Sequence, residues 1–132
     1  MLSLDSGLFS EKSDWARAGV RLPAFDRTTM VERTIREPIW LHFGAGNIFR
    51  AFIACLQDSL LEKELADKGI IVTETFDAEI LDRVYTPFDN LSVTAGLAAS
   101  GEIRLGVLGS VAEAIPVEVL RNDELRSDAF GA

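Results

Sequence analysis

The chain of 132 residues has one cysteine, one histidine and one tyrosine. A lone cysteine, Cys55, cannot close an intramolecular disulfide, and it fits a reducing compartment, so the cytoplasm is the expected location. His42, thirteen positions earlier, forms no ligand cluster with it, so no metal is expected. Basic residues are also scarce: 13 Lys and Arg stand against 21 Asp and Glu, for a formal net charge of −8. Nucleic acid needs a basic footprint and is not an expected partner. No apolar run approaches the ~18 residues of a membrane span. The first residues, Met1 to Ser6, lack the basic and apolar regions of a secretory signal. No Gly-x-Ser-x-Gly elbow, Walker loop or paired-carboxylate signature occurs. No proton-transfer group stands out, so no catalytic residue is assigned.

The length suits one domain, but it is short for a full dinucleotide fold of two βαβαβ halves. Residues 1–38 read as a polar helical arm. Ser10 is placed to cap a helix over Glu11 to Ala18, ended by Gly19, and Asp26 to cap a second helix ending before Pro38. The apolar run 39–43 reads as a first strand. A helix from Asn47 to Asp67 follows, with Phe49, Phe52, Ile53, Leu56, Leu60 and Leu65 on one face and Gly69 as its stop. Residues 70–74 are a β-branched second strand, and Asp77 can cap a short helix over Ala78 to Val84. Two alternating runs, Leu91 to Leu97 and Ile103 to Val107, read as a β-hairpin. The mildly apolar stretch Val111 to Leu120, broken by Pro116, receives no element, and 121–132 is a polar tail. Strand, helix, strand, helix and hairpin in this order predict an α/β fold. The expected form is a Rossmann-like, partly parallel sheet over 39–120, with an inserted hairpin and an incomplete second half.

One stretch carries most of the chemistry. Ile39-Trp40-Leu41-His42-Phe43 runs into Gly44-Ala45-Gly46-Asn47 and then a helix. Two glycines allow a tight turn and close approach of a diphosphate, and the helix start offers free N–H groups. Gly44, Ala45, Gly46 and Asn47 are therefore candidate cofactor residues, although an ordinary strand-to-helix turn has the same signature. The third glycine of the fingerprint is absent, with Phe49 in its place. Arg50 lies in the first helical turn, where a cation opposes the macrodipole by ~0.3–1 kcal/mol. A bound diphosphate reverses that cost; the alternative is a surface arginine paired with an acid. Glu74 and Asp77 follow the second strand, where a carboxylate takes the ribose hydroxyls of NAD and repels the 2′-phosphate of NADP. Either can instead be structural, as a solvated strand end or a helix cap. His42 reads as a satisfied structural histidine within the first strand, and Cys55 as a core residue.

Two stretches resemble the polyol-specific long-chain dehydrogenases, which include mannitol dehydrogenases, fructuronate reductases and tagaturonate reductases. Leu22-Pro23-Ala24-Phe25-Asp26-Arg27 is similar to that family's Pro-x-Tyr-Asp-Arg. His42-Phe43-Gly44-Ala45-Gly46-Asn47-Ile48-Phe49-Arg50-Ala51 is similar to its His-x-Gly-x-Gly-x-Phe-His-Arg-Ala. The family shares the missing third glycine and the arginine. Ile48 and Phe49 replace its Phe-His, and Phe52 replaces a second histidine, which leaves the substrate subgroup open. The resemblance covers roughly residues 20 to 112. It implies NAD(P)-dependent oxidation or reduction at a secondary alcohol of a polyol or hexonate, without a catalytic metal; the carboxylates after the second strand make NAD the expected cofactor and NADP the less favoured one. It also implies a lysine general base, aided by Asn and His, in a helical C-terminal region beyond residue 132. The chain is thus expected to be an amino-terminal fragment or truncated relative, unable to turn over substrate by itself. Its first strand is expected to have an unpartnered edge open to self-association. The competing expectations are a non-catalytic α/β assembly module or pseudo-enzyme, and another Rossmann ligand such as S-adenosylmethionine or FAD.

Overall fold

A computed structural model describes residues 1–117, so the polar tail and the end of the 39–120 segment lie outside the described residues. Strands β2 (Leu41–Phe43), β3 (Ile70–Glu74) and β6 (Val111–Pro116) form a parallel sheet in the order β2-β3-β6. Leu41 pairs with Ile71, and Thr73 with Ile115. This is a Rossmann-like half-sheet. β3 is buried along Ile70 to Thr73, as a central parallel strand covered on both faces should be.

The hairpin belongs to a second sheet rather than to the first. β4 (Ser92–Leu97) and β5 (Ile103–Leu108) pair antiparallel, and β5 pairs parallel with the two-residue β1 (Val20–Arg21). The expected single sheet is thus two three-stranded sheets. The stretch left unassigned is β6, the third strand of the parallel sheet.

In the first 38 residues, Asp5 rather than Ser10 supplies the first cap. It accepts from Gly7 N–H at 2.8 Å at the start of a 3₁₀ turn, Ser6–Ser10. Ser10 Oγ donates back to the Gly7 carbonyl instead. Helix α1 (Lys12–Arg17) follows, and Gly19 turns with φ +76°. Asp26 caps helix α2 (Arg27–Arg36) as its position predicts, accepting from Thr29 N–H at 3.1 Å.

The long helix starts at Asn47, passes through a π-helical turn at Phe49–Ile53, and continues as α3 (Ala54–Glu62). It ends five residues earlier than expected. The chain leaves it through Glu64 in the left-handed region, φ 58°, and Gly69 is not its stop. Gly69 instead lets the backbone pass against Ser110 and Met30. The π turn also shifts which side chains face inward. Phe49, Ala54, Gln57, Asp58 and Leu61 are buried, whereas Ile48, Phe52 and Leu56 are 81%, 64% and 56% exposed. The apolar positions expected on one face are divided between the core and an uncovered stripe.

The main core joins Ala45, Phe49 and Ala54 to Ile70, Val72, Leu81, Tyr85, Leu108 and Val111, with Cys55 packed half-buried at its edge. Only Gly109 and Ser110 separate β5 from β6, so this joint fixes one sheet against the other. It is held from both sides. Asp58 of α3 accepts from Ser110 N–H at 2.8 Å and Gly109 N–H at 3.1 Å. Buried Arg27 donates to the carbonyls of Gly109, Val111 and Asp89. No helix among the described residues is long and apolar enough to cross a membrane.

Candidate functional site

The site is the turn between β2 and the long helix, at the carboxyl end of the parallel strands, where open α/β sheets bind ligands. Gly44 N–H donates to the Thr73 carbonyl at 2.8 Å, extending the β2–β3 ladder by one bond. Gly44 then turns with φ +113°, which side-chain-bearing residues rarely adopt. A Cβ at Gly44 or Gly46 would meet nothing within 4 Å. The glycines therefore border open space and are not packed under other side chains. That space is a cleft of about 580 Å³ lined by His42, Gly44, Gly46, Asn47, Ile48, Phe49 and Ile53.

Ala45 lies between the glycines and is fully buried. Its peptide groups are held at both ends. Glu74 Oε2 accepts from Ala45 N–H at 2.8 Å. The Ala45 carbonyl accepts from Arg50 Nη1 at 2.7 Å and from the Tyr85 hydroxyl at 2.8 Å. Arg50 Nη2 also donates to Asn47 Oδ1. The first helical bond here runs from Arg50 N–H to the Gly46 carbonyl, so the N–H groups at the helix start have no acceptor within the helix. The arginine thus lies across the turn and is not extended into solvent, and it can reach an anion seated at those N–H groups.

Glu74 and Asp77 are placed differently. Glu74 Oε1 accepts from Thr75 and Phe76 N–H at 3.0 and 3.2 Å. Bonds from backbone N–H groups, that of Ala45 first, hold its carboxyl below the usual range and keep it charged at neutral pH. A carboxylate has about four acceptor positions, and three are taken. The Asp77 N–H also helps to lower this carboxyl, so all the nearby backbone donors converge on Glu74. Asp77 is joined to Arg83 at 3.8 Å and makes no bond to the turn. Its carboxylate does not cap the following helix; the Asp77 carbonyl accepts from Ile80 N–H instead.

His42 is not enclosed as a satisfied core group. It is half-exposed, stacked on Phe49 with ring centroids 4.6 Å apart, and it walls the cleft. Tyr85 is a site residue that the sequence reading missed, because 40 positions separate it from its hydrogen-bond partner. Arg27 was matched only as part of a motif. Its role is structural, at the joint between the sheets.

Comparisons with known proteins agree with this fold. No family model matches. The chain is 40% identical over 114 residues to the D-mannonate oxidoreductase of Thermotoga maritima, covering 86% of this chain and 21% of that protein. The resemblance to the polyol-specific long-chain dehydrogenases read from the two sequence stretches is borne out. The chain spans about a fifth of the length of that relative. Two solved structures share the fold. Substrate-free D-sorbitol dehydrogenase has a TM-score of 0.63 at 24% identity, over 79% of this chain and 22% of that one. Pseudomonas fluorescens mannitol 2-dehydrogenase, in ternary complex with NAD and D-mannitol, has a TM-score of 0.67 at 18% identity, over 92% and 24%.

Proposed function

We propose that this chain is the NAD-binding part of a dehydrogenase that exchanges hydride with a secondary alcohol of a linear polyol or hexonate. The observation that carries this reading is the open glycine turn with Arg50 laid across it. The helix-start N–H groups and Arg50 hold the diphosphate, with Asn47 beside them. Glu74 takes one adenosine ribose hydroxyl, and its charge disfavours the 2′-phosphate of NADP. Asp77, exposed and loosely paired with Arg83 at 3.8 Å, makes no bond to the turn, so Glu74 is favoured over it for that role. NAD supplies the hydride acceptor when bound; this chain's residues bind it, orient it and fix the turn. No described residue is assigned proton transfer, so the chain by itself is expected to bind NAD without turnover. The lone cysteine fits a reducing cytoplasm. S-adenosylmethionine and FAD remain controls for the same turn.

Calorimetric titration with NAD tests the assignment. Wild type is expected to bind, and Arg50→Ala to weaken binding roughly 10- to 100-fold, the size of a lost charged hydrogen bond. Glu74→Gln keeps an acceptor for Ala45 N–H but removes the charge. It is expected to narrow the preference for NAD over NADP without abolishing NAD binding. No heat with millimolar NAD overturns the reading.

A specific observation favours a second role, in assembly. β2 pairs on one side only among the described residues, and Ile48, Phe52 and Leu56 form an exposed apolar stripe on the adjoining helix. Unpaired strand edges and apolar stripes promote association. The chain is expected to self-associate, and Phe52→Glu with Leu56→Lys to shift it toward monomer in light scattering. A wild-type monomer at high concentration overturns this second role and leaves the first intact.

A further inference from the structure

Tyr85 lies outside the glycine turn in sequence, yet its hydroxyl is bonded to the centre of it. Its ring is fully buried, and its hydroxyl donates to the Ala45 carbonyl at 2.8 Å. Arg50 donates to the same carbonyl, and its guanidinium carbon lies 5.6 Å from the Tyr85 ring centroid. One donor is enough to satisfy a buried carbonyl. The two donors here differ in freedom. Tyr85 is fixed in the core between Ala45, Leu81 and Val72. Arg50 is partly exposed at the mouth of the turn.

We propose that Tyr85 is a positioning residue for the cofactor: it keeps the buried Ala45 carbonyl hydrogen-bonded when Arg50 turns to the diphosphate. The inference rests on the reading of Gly44 to Arg50 as the diphosphate site. Arg50 braces the turn through Ala45 and Asn47. Moving it to a diphosphate takes a donor from a fully buried peptide oxygen. Without Tyr85 that oxygen has no remaining donor, and the guanidinium is retained by the turn. With Tyr85 the turn keeps its shape and the arginine is released. Burial raises the Tyr85 phenol above its ordinary value, and Arg50 opposes that rise, so the hydroxyl remains a neutral donor.

The test is a binding cycle with NAD on the full chain, using wild type, Tyr85→Phe, Arg50→Ala and the double variant. Tyr85→Phe is expected to weaken binding about tenfold in the wild-type background, the size of one uncompensated hydrogen bond. It is expected to have no further effect in the Arg50→Ala background, where no guanidinium leaves the carbonyl. Equal losses in both backgrounds indicate a merely structural tyrosine and overturn the proposal. Unchanged binding by Tyr85→Phe overturns it while leaving the diphosphate site standing. Absence of NAD binding by wild type overturns both. A second measurement does not depend on the variant folding. Because Tyr85 is the only tyrosine, 3-fluorotyrosine labels this position alone. Its fluorine resonance is expected to shift as NAD draws the guanidinium off the ring, and an unmoved resonance at saturation overturns the proposal.

Discussion

Asp58→Ala is expected to destabilise the chain by about 2–5 kcal/mol, whereas Asp58→Asn is expected to fold and to lose a distinct pH dependence. The alanine variant strips the acceptor from two N–H groups, Gly109 and Ser110, and the cost of burying an unpaired donor is about 1–3 kcal/mol. It also leaves Arg27, which packs on the same joint, with Asp89 as the larger remaining charge favouring its ionised form and without the smaller contribution of Asp58. A small domain is stable by only about 5–15 kcal/mol, so this loss is a large share. Asparagine behaves differently because Asp58 Oδ1 alone receives the shorter of the bonds from both N–H groups, and an amide oxygen can do the same.

The pH dependence follows from burial. Asp58 is pushed up to about 6 from 3.8, chiefly by desolvation, against hydrogen bonds from Ser110 and Gly109 that pull it down. Its folded-state value lies above the unfolded one, so the folded chain holds this proton more tightly. The associated stabilisation is complete below about 3.8 and is lost as pH rises through about 6, and it amounts to ~3 kcal/mol over that window. Glu74, Asp26, Asp89 and Glu37 are shifted down instead. Their stabilisation is present above the ordinary carboxylate values and is lost below them; Asp26, Asp89 and Glu37 are exposed and Glu74 is partly buried. Denaturant melts of wild type are therefore expected to strengthen from pH 7 to about pH 5 and to weaken in stronger acid. In Asp58→Asn the first limb should be much shallower, with the remainder coming from Glu113, whose carboxyl burial also pushes up. A wild-type stability that falls steadily from pH 7 downward contradicts this account of the joint.

The parts of this fold that can be read from sequence are those whose signals are local. β3 is a continuous β-branched run, the hairpin alternates with period two, and Asp26 stands directly before a helical pattern. The glycine turn is likewise written in consecutive residues. β6 was illegible because Glu113 stands in its middle and Pro116 at its end, so it lacks both alternation and an apolar run. Only its place beside β3, at the edge of the sheet among the described residues, where proline is tolerated, makes it a strand. The extent of the long helix was misjudged because apolar spacing at period 3.6 does not reveal a π turn, which rotates later residues relative to earlier ones. Glu74 follows Gly46 by 28 positions, against about 20 in the usual fingerprint, which predicts a helix about two turns longer than usual; much of the extra length lies instead in the loop over 63–69. Tyr85, Arg27 and Asp58 act on backbone groups 40 to 84 positions away. No local pattern announces such contacts.

The contrast between Gly69 and Gly46 separates stability from binding in a single pair of alanine substitutions. Gly69 lies where the chain enters β3, and its N–H donates to Thr34 Oγ1 at 2.8 Å. A Cβ there would overlap the Ser110 carbonyl oxygen and come within 2.6 Å of Met30 Sδ. The methionine tip can move, but the carbonyl cannot, because Ile70 N–H is bonded to it at 2.9 Å and the same residue's N–H is held by Asp58. Gly69→Ala is thus expected to cost about 1–3 kcal/mol or more, as overpacking against fixed backbone does. Its NAD affinity, measured on the folded fraction, should change little. Gly46→Ala has the opposite profile. Its φ is not in the left-handed region and a Cβ meets no atom within 4 Å, so the melting midpoint is expected to move by no more than a few degrees. The added methyl nevertheless enters the open space that a diphosphate needs, and binding of NAD is expected to fall by at least tenfold. Paired melts and titrations read both effects. A Gly46→Ala variant that binds NAD as well as wild type contradicts the placement of the diphosphate against this turn, whatever Gly69→Ala does to the fold.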